Sequence, residues 1–365
     1  MSFTESPNLK SIVSGKKKAC NMKLTRTFHP VGQGAFYTER FYDRDENNVF
    51  NMVYDCGSST KGQYLHNEIN EAFKDGAEKA KIDILFVSHF HNDHVNGIEE
   101  LARQYYIKRL AIPAPKLFNK NIIMIDYLHN LCATLDLDNF ANKFLEFCIT
   151  GDSNLDYFKD TQRIPVDGNV IQFPNIDWMY MTFCDIQLSA QDFLDAFIKE
   201  FLFKSVYDGF NGHNFLILYD YFKKNKNIHN LKDFYHDYFK KHYRNDNYYS
   251  MTVLSQPTNI KLNDTVCLYT GDFPAREESY LNNMRNYYAA YWDNINTLQA
   301  PHHGSRYDNP DSLYDDKKRN CVISYGKDNQ YRHPDGETLL AIHFSGSTLH
   351  AVNEDVKYEQ MFPHI

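Results

Sequence analysis

The chain has 365 residues, enough for one elaborated domain or two modest ones, and its 42% hydrophobic content excludes a peptide or a disordered chain. With 39 basic against 47 acidic residues the net charge is −8, which argues against a chain-wide polyanion-binding surface, so any nucleic-acid contact has to be regional. Seven cysteines stand singly without CxxC pairs, which fits a reducing compartment better than a disulfide framework or a cysteine zinc knuckle.

In chain order, residues 1–21 read as a flexible leader that lacks the apolar stretch of a secretory signal. No apolar run approaches the ~18–20 residues that span a bilayer, so the expectation is a soluble, cytoplasmic protein without membrane association. A first strand falls near Leu24–Phe28, and Gly32-Gln33-Gly34 makes a turn. Ala35–Phe41 and Val49–Tyr54 alternate as strands around the polar hairpin Asp43–Asn48, and Asp55-Cys56-Gly57 closes the unit. A polar helix is predicted over Tyr64–Lys79 and a buried strand over Ile82–Val87. After them Ile98, Leu101, Ala102 and Tyr105 share one helical face. Residues 116–165 read as mainly helical, and Val170–Phe173 and Trp178–Phe183 as strands. The aromatic, charged stretch 189–247 reads as a helical insertion. Strands resume at Met251–Leu254, Thr265–Thr270, Thr297–Ala300 and Cys321–Ser324, with a helix near Glu277–Tyr287. Strand, loop and helix on both sides of the insertion predict one α/β domain over 22–365 with an embedded cap.

The strongest chemical signal is Ser88-His89-Phe90-His91-Asn92-Asp93-His94, directly after the buried strand. Three imidazoles and a carboxylate on a strand-to-helix loop can converge on one point. Imidazole nitrogen suits zinc, and the carboxylate oxygen suits zinc, manganese or iron. Asp272 follows an apolar strand beside Gly271, and His302 lies just past another, both at strand ends where α/β proteins hold ligands. Residues 222–244 hold Lys223, Lys224, Lys226, Lys232, Lys240, Lys241 and Arg244 against Asp233 and Asp237, with aromatics interleaved. That composition suits a phosphate backbone with stackable bases, and equally an amphipathic cap with its lysines in water.

The H-x-H-x-D-H loop resembles the hallmark of the metallo-β-lactamase fold hydrolases. His29-Pro30-Val31-Gly32-Gln33-Gly34-Ala35 and Tyr54-Asp55-Cys56-Gly57 are similar to the opening strands of the ComEC-type branch, the competence-protein hydrolase domain. Pro301-His302-His303-Gly304-Ser305 is similar to its PHHGS motif, and Ser324-Tyr325-Gly326 with Asn329, Tyr331, His333 and Pro334 to its downstream segment. The order from His302 to Tyr307 also resembles a segment of ribonuclease Z in which the first histidine is the ligand.

The resemblance implies an αββα metallo-β-lactamase sandwich with a helical insertion, and hydrolysis assisted by two divalent metals, zinc first and manganese second. It implies that His89 and His91 hold one metal, that Asp93, His94 and His302 hold the other, and that Asp272 holds both. His303 is expected behind the ligands or at the substrate, His303 or His333 donates to the departing oxygen, and Asp55 orients a ligand. Asp93 and Asp272 are thus both ligands and parts of the catalytic apparatus. The family usually adds a third histidine to the first metal from a strand end, where this chain has Cys184-Asp185. Either residue can take that place, or His213, His229, His236 or His242 of the insertion, or the site is incomplete.

Three functions follow: a phosphodiesterase or nuclease using Lys223, Lys224, Lys240 and Lys241 for nucleic acid; a small-molecule hydrolase of thioesters, lactones, β-lactams or phosphorylcholine esters; and a weakly active protein gated by a regulatory protein partner. An open basic groove favours the first and an enclosed apolar pocket the second.

Overall fold

The computed structural model describes residues 22–74, 80–113, 155–166, 168–185, 250–258, 263–314 and 317–365, with isolated helical positions between 144 and 241. β1 (Lys23–Phe28), β2 (Gly34–Tyr42) and β3 (Asn48–Ser58) form an antiparallel meander. β3 runs past Asp55-Cys56-Gly57, which the sequence reading placed at its close. β4 (Lys81–Ile82) and β5 (Ile84–Phe86) split the expected strand at Asp83, whose carboxylate accepts the Asn51 N–H at 2.9 Å. β4 pairs with β6 (Tyr106–Ile107) in a small separate ribbon. β5 continues the first sheet into β7 (Arg109–Pro113) and β8 (Gln162–Val166), all parallel. With β16 (Tyr358–Phe362) on β1, the order is β16-β1-β2-β3-β5-β7-β8.

The second sheet also has seven strands: β9 (Val170–Phe173), β10 (Trp178–Phe183), β11 (Thr252–Pro257), β12 (Cys267–Tyr269), β13 (Thr297–Gln299), β14 (Asn320–Ser324) and β15 (Thr348–Val352). They lie in sequence order, antiparallel from β9 to β12 and parallel from β12 to β15. Between the sheets, alternate residues of facing strands make an aromatic core: Phe28, Tyr37, Tyr54 and Phe86 meet Trp178, Tyr180, Val253 and Tyr269. A buried ion pair between β1 and β2 faces this layer. Arg26 Nε donates to Glu39 Oε1 at 2.7 Å with both side chains fully buried, and Glu39 also accepts from the hydroxyls of Tyr180, Ser255 and Tyr269.

Helices cover both outer faces. α1 (Tyr64–Glu71) and α3 (Ile98–Gln104) bury Ile69, Ile98 and Leu101 outside the first sheet, with the short α2 (Asn92–Val95) against β3. α4 (Glu278–Tyr287) and α5 (Gly336–Phe344) pack Leu281, Met284, Ala341 and Ile342 on Leu254, Leu268 and Leu298 of the second. The architecture is α/β, in αββα layers. Among the described residues five cysteines (56, 148, 184, 267 and 321) are buried thiols outside any disulfide, and there no helix is long and apolar enough to cross a membrane.

Two expectations change. The stretch read as mainly helical over 116–165 contributes β8 and a single turn at Asp156–Phe158 in its described part; β8 is a sheet edge, where Pro165 is tolerated. The expected helix to Lys79 stops at Glu71, with 75–79 outside the described residues. The leader 1–21 also lies outside them, as do most of 189–247; positions 196, 199, 200, 233, 234, 237 and 241 of that stretch are helical.

Candidate metal centre

The parallel strand β5 ends at Phe86, and the chain leaves the sheet edge through His89 and His91 into α2, which carries Asp93 and His94. β3 runs beneath this loop. A side chain at Gly57 would meet the Asp93 and His94 backbone at 2.5–2.6 Å, so only glycine lets the loop lie so close. At the end of β12, Gly271 has φ +55, and a Cβ there would press on Ser88 at 2.7 Å; the glycine brings Asp272 up to the histidine loop.

Two clusters result. One donor atom each from His89, His91 and Asp272 lie within 4.8 Å of one another, and the same holds for Asp93, His94 and His303. Asp272 spans both: Oδ1 is 3.2 Å from His94 Nε2, while Oδ2 is 3.7 Å from His89 Nε2 and 3.6 Å from His302 Nε2. His303 Nε2 lies 3.3 Å from Asp93 Oδ2.

Four of the rings are oriented through their other nitrogen. His94 Nδ1 is 2.8 Å from Asp55 Oδ2, His302 Nδ1 is 2.5 Å from Asp308 Oδ2, and His303 Nδ1 donates to the Ser324 carbonyl at 2.9 Å. Ser88 donates its N–H and its hydroxyl to Asp55, at 2.7 Å each, and its oxygen accepts from His89 Nδ1 at 2.9 Å. Four imidazoles therefore turn Nε2 toward the cluster, the arrangement by which outer partners fix tautomer and aim in metal sites. Asp55, His302 and His303 all adopt left-handed backbone, with φ of 56, 48 and 53. Such conformations cost about 1–3 kcal/mol each and persist where surrounding structure imposes them.

The electrostatics favour a cation. Burial alone would push the Asp272 carboxyl up, yet His302 and His94 hold it well below the usual carboxylate range. Asp93 is likewise lowered, against burial, by His303 and His94. Burial would lower His94, but Asp272 and Asp55 raise it well above the usual imidazole value. Burial, with His94 and His91 beside it, lowers His89 well below that value. A field that holds a proton between carboxylates also favours a metal ion there, and a donor set of imidazole nitrogen and carboxylate oxygen fits zinc or manganese.

The paired histidines are placed differently from the expectation. His303, not His302, joins Asp93 and His94, while His302 faces the Asp272 oxygen that His89 also faces. Two successive left-handed residues turn the chain so sharply that the adjacent rings diverge, 6.2 Å apart at 65°. Neither Cys184 nor Asp185 reaches the clusters: Cys184 packs in the core between the sheets, and Asp185 accepts from Asn283 Nδ2 at 2.7 Å. His333 stands beside the site, its ring 5.7 Å from that of His302. Burial, then His302 and His303, push it down to about 4. His213, His229, His236 and His242 lie outside the described residues, as do Lys223, Lys224 and Lys240; Lys241 is an exposed helical position. The ring contacts of Ser88, Asp308 and Ser324 were not foreseen. Asp308, six residues after His302, is the one that a search for downstream carboxylates would have found.

Comparison with known proteins gives partial likenesses. A profile of the family described as Anti-Pycsar protein Apyc1 matches residues 27–161, which take in the opening strands and the histidine loop. A ribonuclease Z from Methanococcus maripaludis is 30% identical over 114 residues, covering 29% of this chain. The chain spans 33% of the length of that relative. Among solved structures, unliganded yeast PDE1 superposes with a TM-score of 0.44 at 10% identity, covering 92% of this chain and 97% of that one. A diphosphatase of the PhnP family gives a TM-score of 0.41 at 9% identity, with the same coverages. These are chains that this one is similar to over the spans stated.

Proposed function

We propose that the protein is a hydrolase of the metallo-β-lactamase fold that uses two divalent metals, zinc or manganese, to cleave phosphodiesters. The observation that carries this reading is Asp272, which presents one carboxylate oxygen to each of two ligand clusters. In this reading His89, His91 and His302 hold one cation, Asp93, His94 and His303 the other, and Asp272 both. His302 thereby takes the place that the sequence left open at Cys184. Bound there, two cations supply Lewis acidity, activating water and neutralising charge on the attacked phosphoryl group.

The chain's own residues do the rest. Asp55 and Asp308 keep Nε2 of His94 and His302 aimed inward, and the Ser88 hydroxyl links His89 to Asp55. His333, uncharged at neutral pH, offers a hydrogen bond rather than a charge. With Nδ1 3.4 Å from Asp335 Oδ2, its Nε2 is the atom to meet a departing oxygen. The likeness to a protein named ribonuclease Z supports the same substrate class, and Lys223, Lys224, Lys240 and Lys241 are proposed to hold nucleic acid. Hydrolysis of bis(p-nitrophenyl) phosphate and of single- and double-stranded nucleic acid by zinc- and manganese-loaded protein tests the reading. Turnover of thioesters, lactones or β-lactams with none of phosphodiesters contradicts it.

A further inference from the structure

Beside the metal centre lies an open cavity of about 590 Å³, lined by Gln33, Thr60, Lys61, Tyr64, Lys327 and Tyr331 among others. Its lining is tied together at one residue. The Gln33 N–H donates to Thr60 Oγ1 at 2.7 Å, and Gln33 Oε1 accepts from the Gly326 N–H at 3.1 Å, so three loops meet at Gln33. The next residue, Gly34, lies against the backbone of Asp93, with a built Cβ 2.8 Å from its carbonyl oxygen. One wall of the cavity is thus continuous with the loop of the second cluster.

The opposite wall leads to the same centre. Asn329 accepts the His333 N–H at 2.9 Å and donates to the His333 carbonyl at 2.7 Å, fixing the turn that carries Tyr331. The Tyr331 ring stacks on His333 at 5.9 Å and 15°, and His333 lies 5.7 Å from His302. Two ring-to-ring steps therefore join the cavity to the metal centre.

The lining also has an unusual balance. Tyr331 is 60% exposed and Tyr64 38%, so two aromatic rings are left open to the cavity. Exposed Lys61 adds a cation, while Lys327 is drawn to Asp355 at 2.5 Å. Glu354 accepts from the Lys327 N–H at 3.1 Å and adds a carboxylate able to accept from hydroxyls. Flat rings, a lysine and a carboxylate are the groups that bind a base, a phosphate and a ribose, and an apolar acyl chain would use few of them.

We propose that this cavity is a nucleoside subsite, which takes the base of a phosphodiester substrate on Tyr331 and its ribose toward Glu354 while the phosphate meets the histidine and aspartate clusters. The inference rests on the phosphodiesterase reading and narrows its substrates to nucleoside phosphodiesters. The test compares two substrates of the metal-loaded protein, the p-nitrophenyl ester of thymidine monophosphate and methyl p-nitrophenyl phosphate, which lacks the nucleoside. The parent should show a KM at least about tenfold lower for the nucleoside ester. Tyr331→Ala should raise that KM about tenfold, Tyr331→Phe should restore it, and Lys61→Ala should raise it less. Equal KM for both esters in the parent, or an unmoved KM in Tyr331→Ala, overturns the subsite. Equilibrium dialysis of thymidine monophosphate separates the two readings. Retention that depends on Tyr331 without turnover of either ester upholds the subsite and contradicts the phosphodiesterase. Turnover of both esters with no retention contradicts the subsite alone.

Discussion

Replacing Asp272 probes the join between the two clusters. Its carboxylate faces Nε2 of His94 at 3.2 Å, His302 at 3.6 Å and His89 at 3.7 Å, so Asp272→Ala removes the one side chain common to both groups. Its backbone role survives: the N–H that donates to Ser250 Oγ at 3.0 Å is untouched by the change. Each cluster keeps its other donors, so the fold and part of the metal should be retained while the spacing of the two ions is lost. The expected loss is at least about a hundredfold in kcat, or ~2.7 kcal/mol of transition-state stabilisation. Asp272→Asn should be nearly as damaged, because a neutral amide bridges two cations poorly. Steady-state hydrolysis of bis(p-nitrophenyl) phosphate in excess metal measures this, with circular dichroism as the check on folding. Activity of either variant within about threefold of the parent refutes the bridging role and the mechanism built on it.

The paired histidines should separate by metal content. His302→Ala and His303→Ala are each expected to lose one ion per chain by metal analysis, and the double variant both; retention of two ions by either single variant would contradict the assignment. Glu39→Ala leaves Arg26 buried without its counter-charge and strips an acceptor from Tyr180, Ser255 and Tyr269, so urea unfolding should show a loss of about 3–5 kcal/mol. A loss under about 1 kcal/mol would mean that water reaches this layer. Changing Lys223, Lys224, Lys240 and Lys241 together to Ala should weaken nucleic-acid binding across sequences and flatten its salt dependence, while turnover of a small phosphodiester holds. Equal loss on both substrates would make the insertion a structural cap.

Much of the site was legible because its donors sit at strand ends and announce themselves by type. His89, His91, Asp93 and His94 share one loop, and Asp272 follows a short apolar strand beside a glycine. The division of His302 from His303 was not legible, since neighbouring residues differ in aim only through a left-handed turn that pattern and propensity do not encode. The contacts of Asp308 and Ser324 were hidden for a related reason: they act on ring nitrogens across space. In the fold, β15 and β16 escaped notice because both are half-exposed edge strands, where Thr348–Val352 and Tyr358–Phe362 show weak alternation. β8 was hidden by Pro165, which a sheet edge accepts and a central strand does not.

The most direct test of the two-cluster centre is a crystal of the zinc-loaded protein, measured for anomalous scattering at the zinc edge. Two peaks per chain are expected, one among His89, His91 and His302 and one among Asp93, His94 and His303, with an oxygen of Asp272 at each. A single peak, or a second peak away from Asp272, would contradict the account.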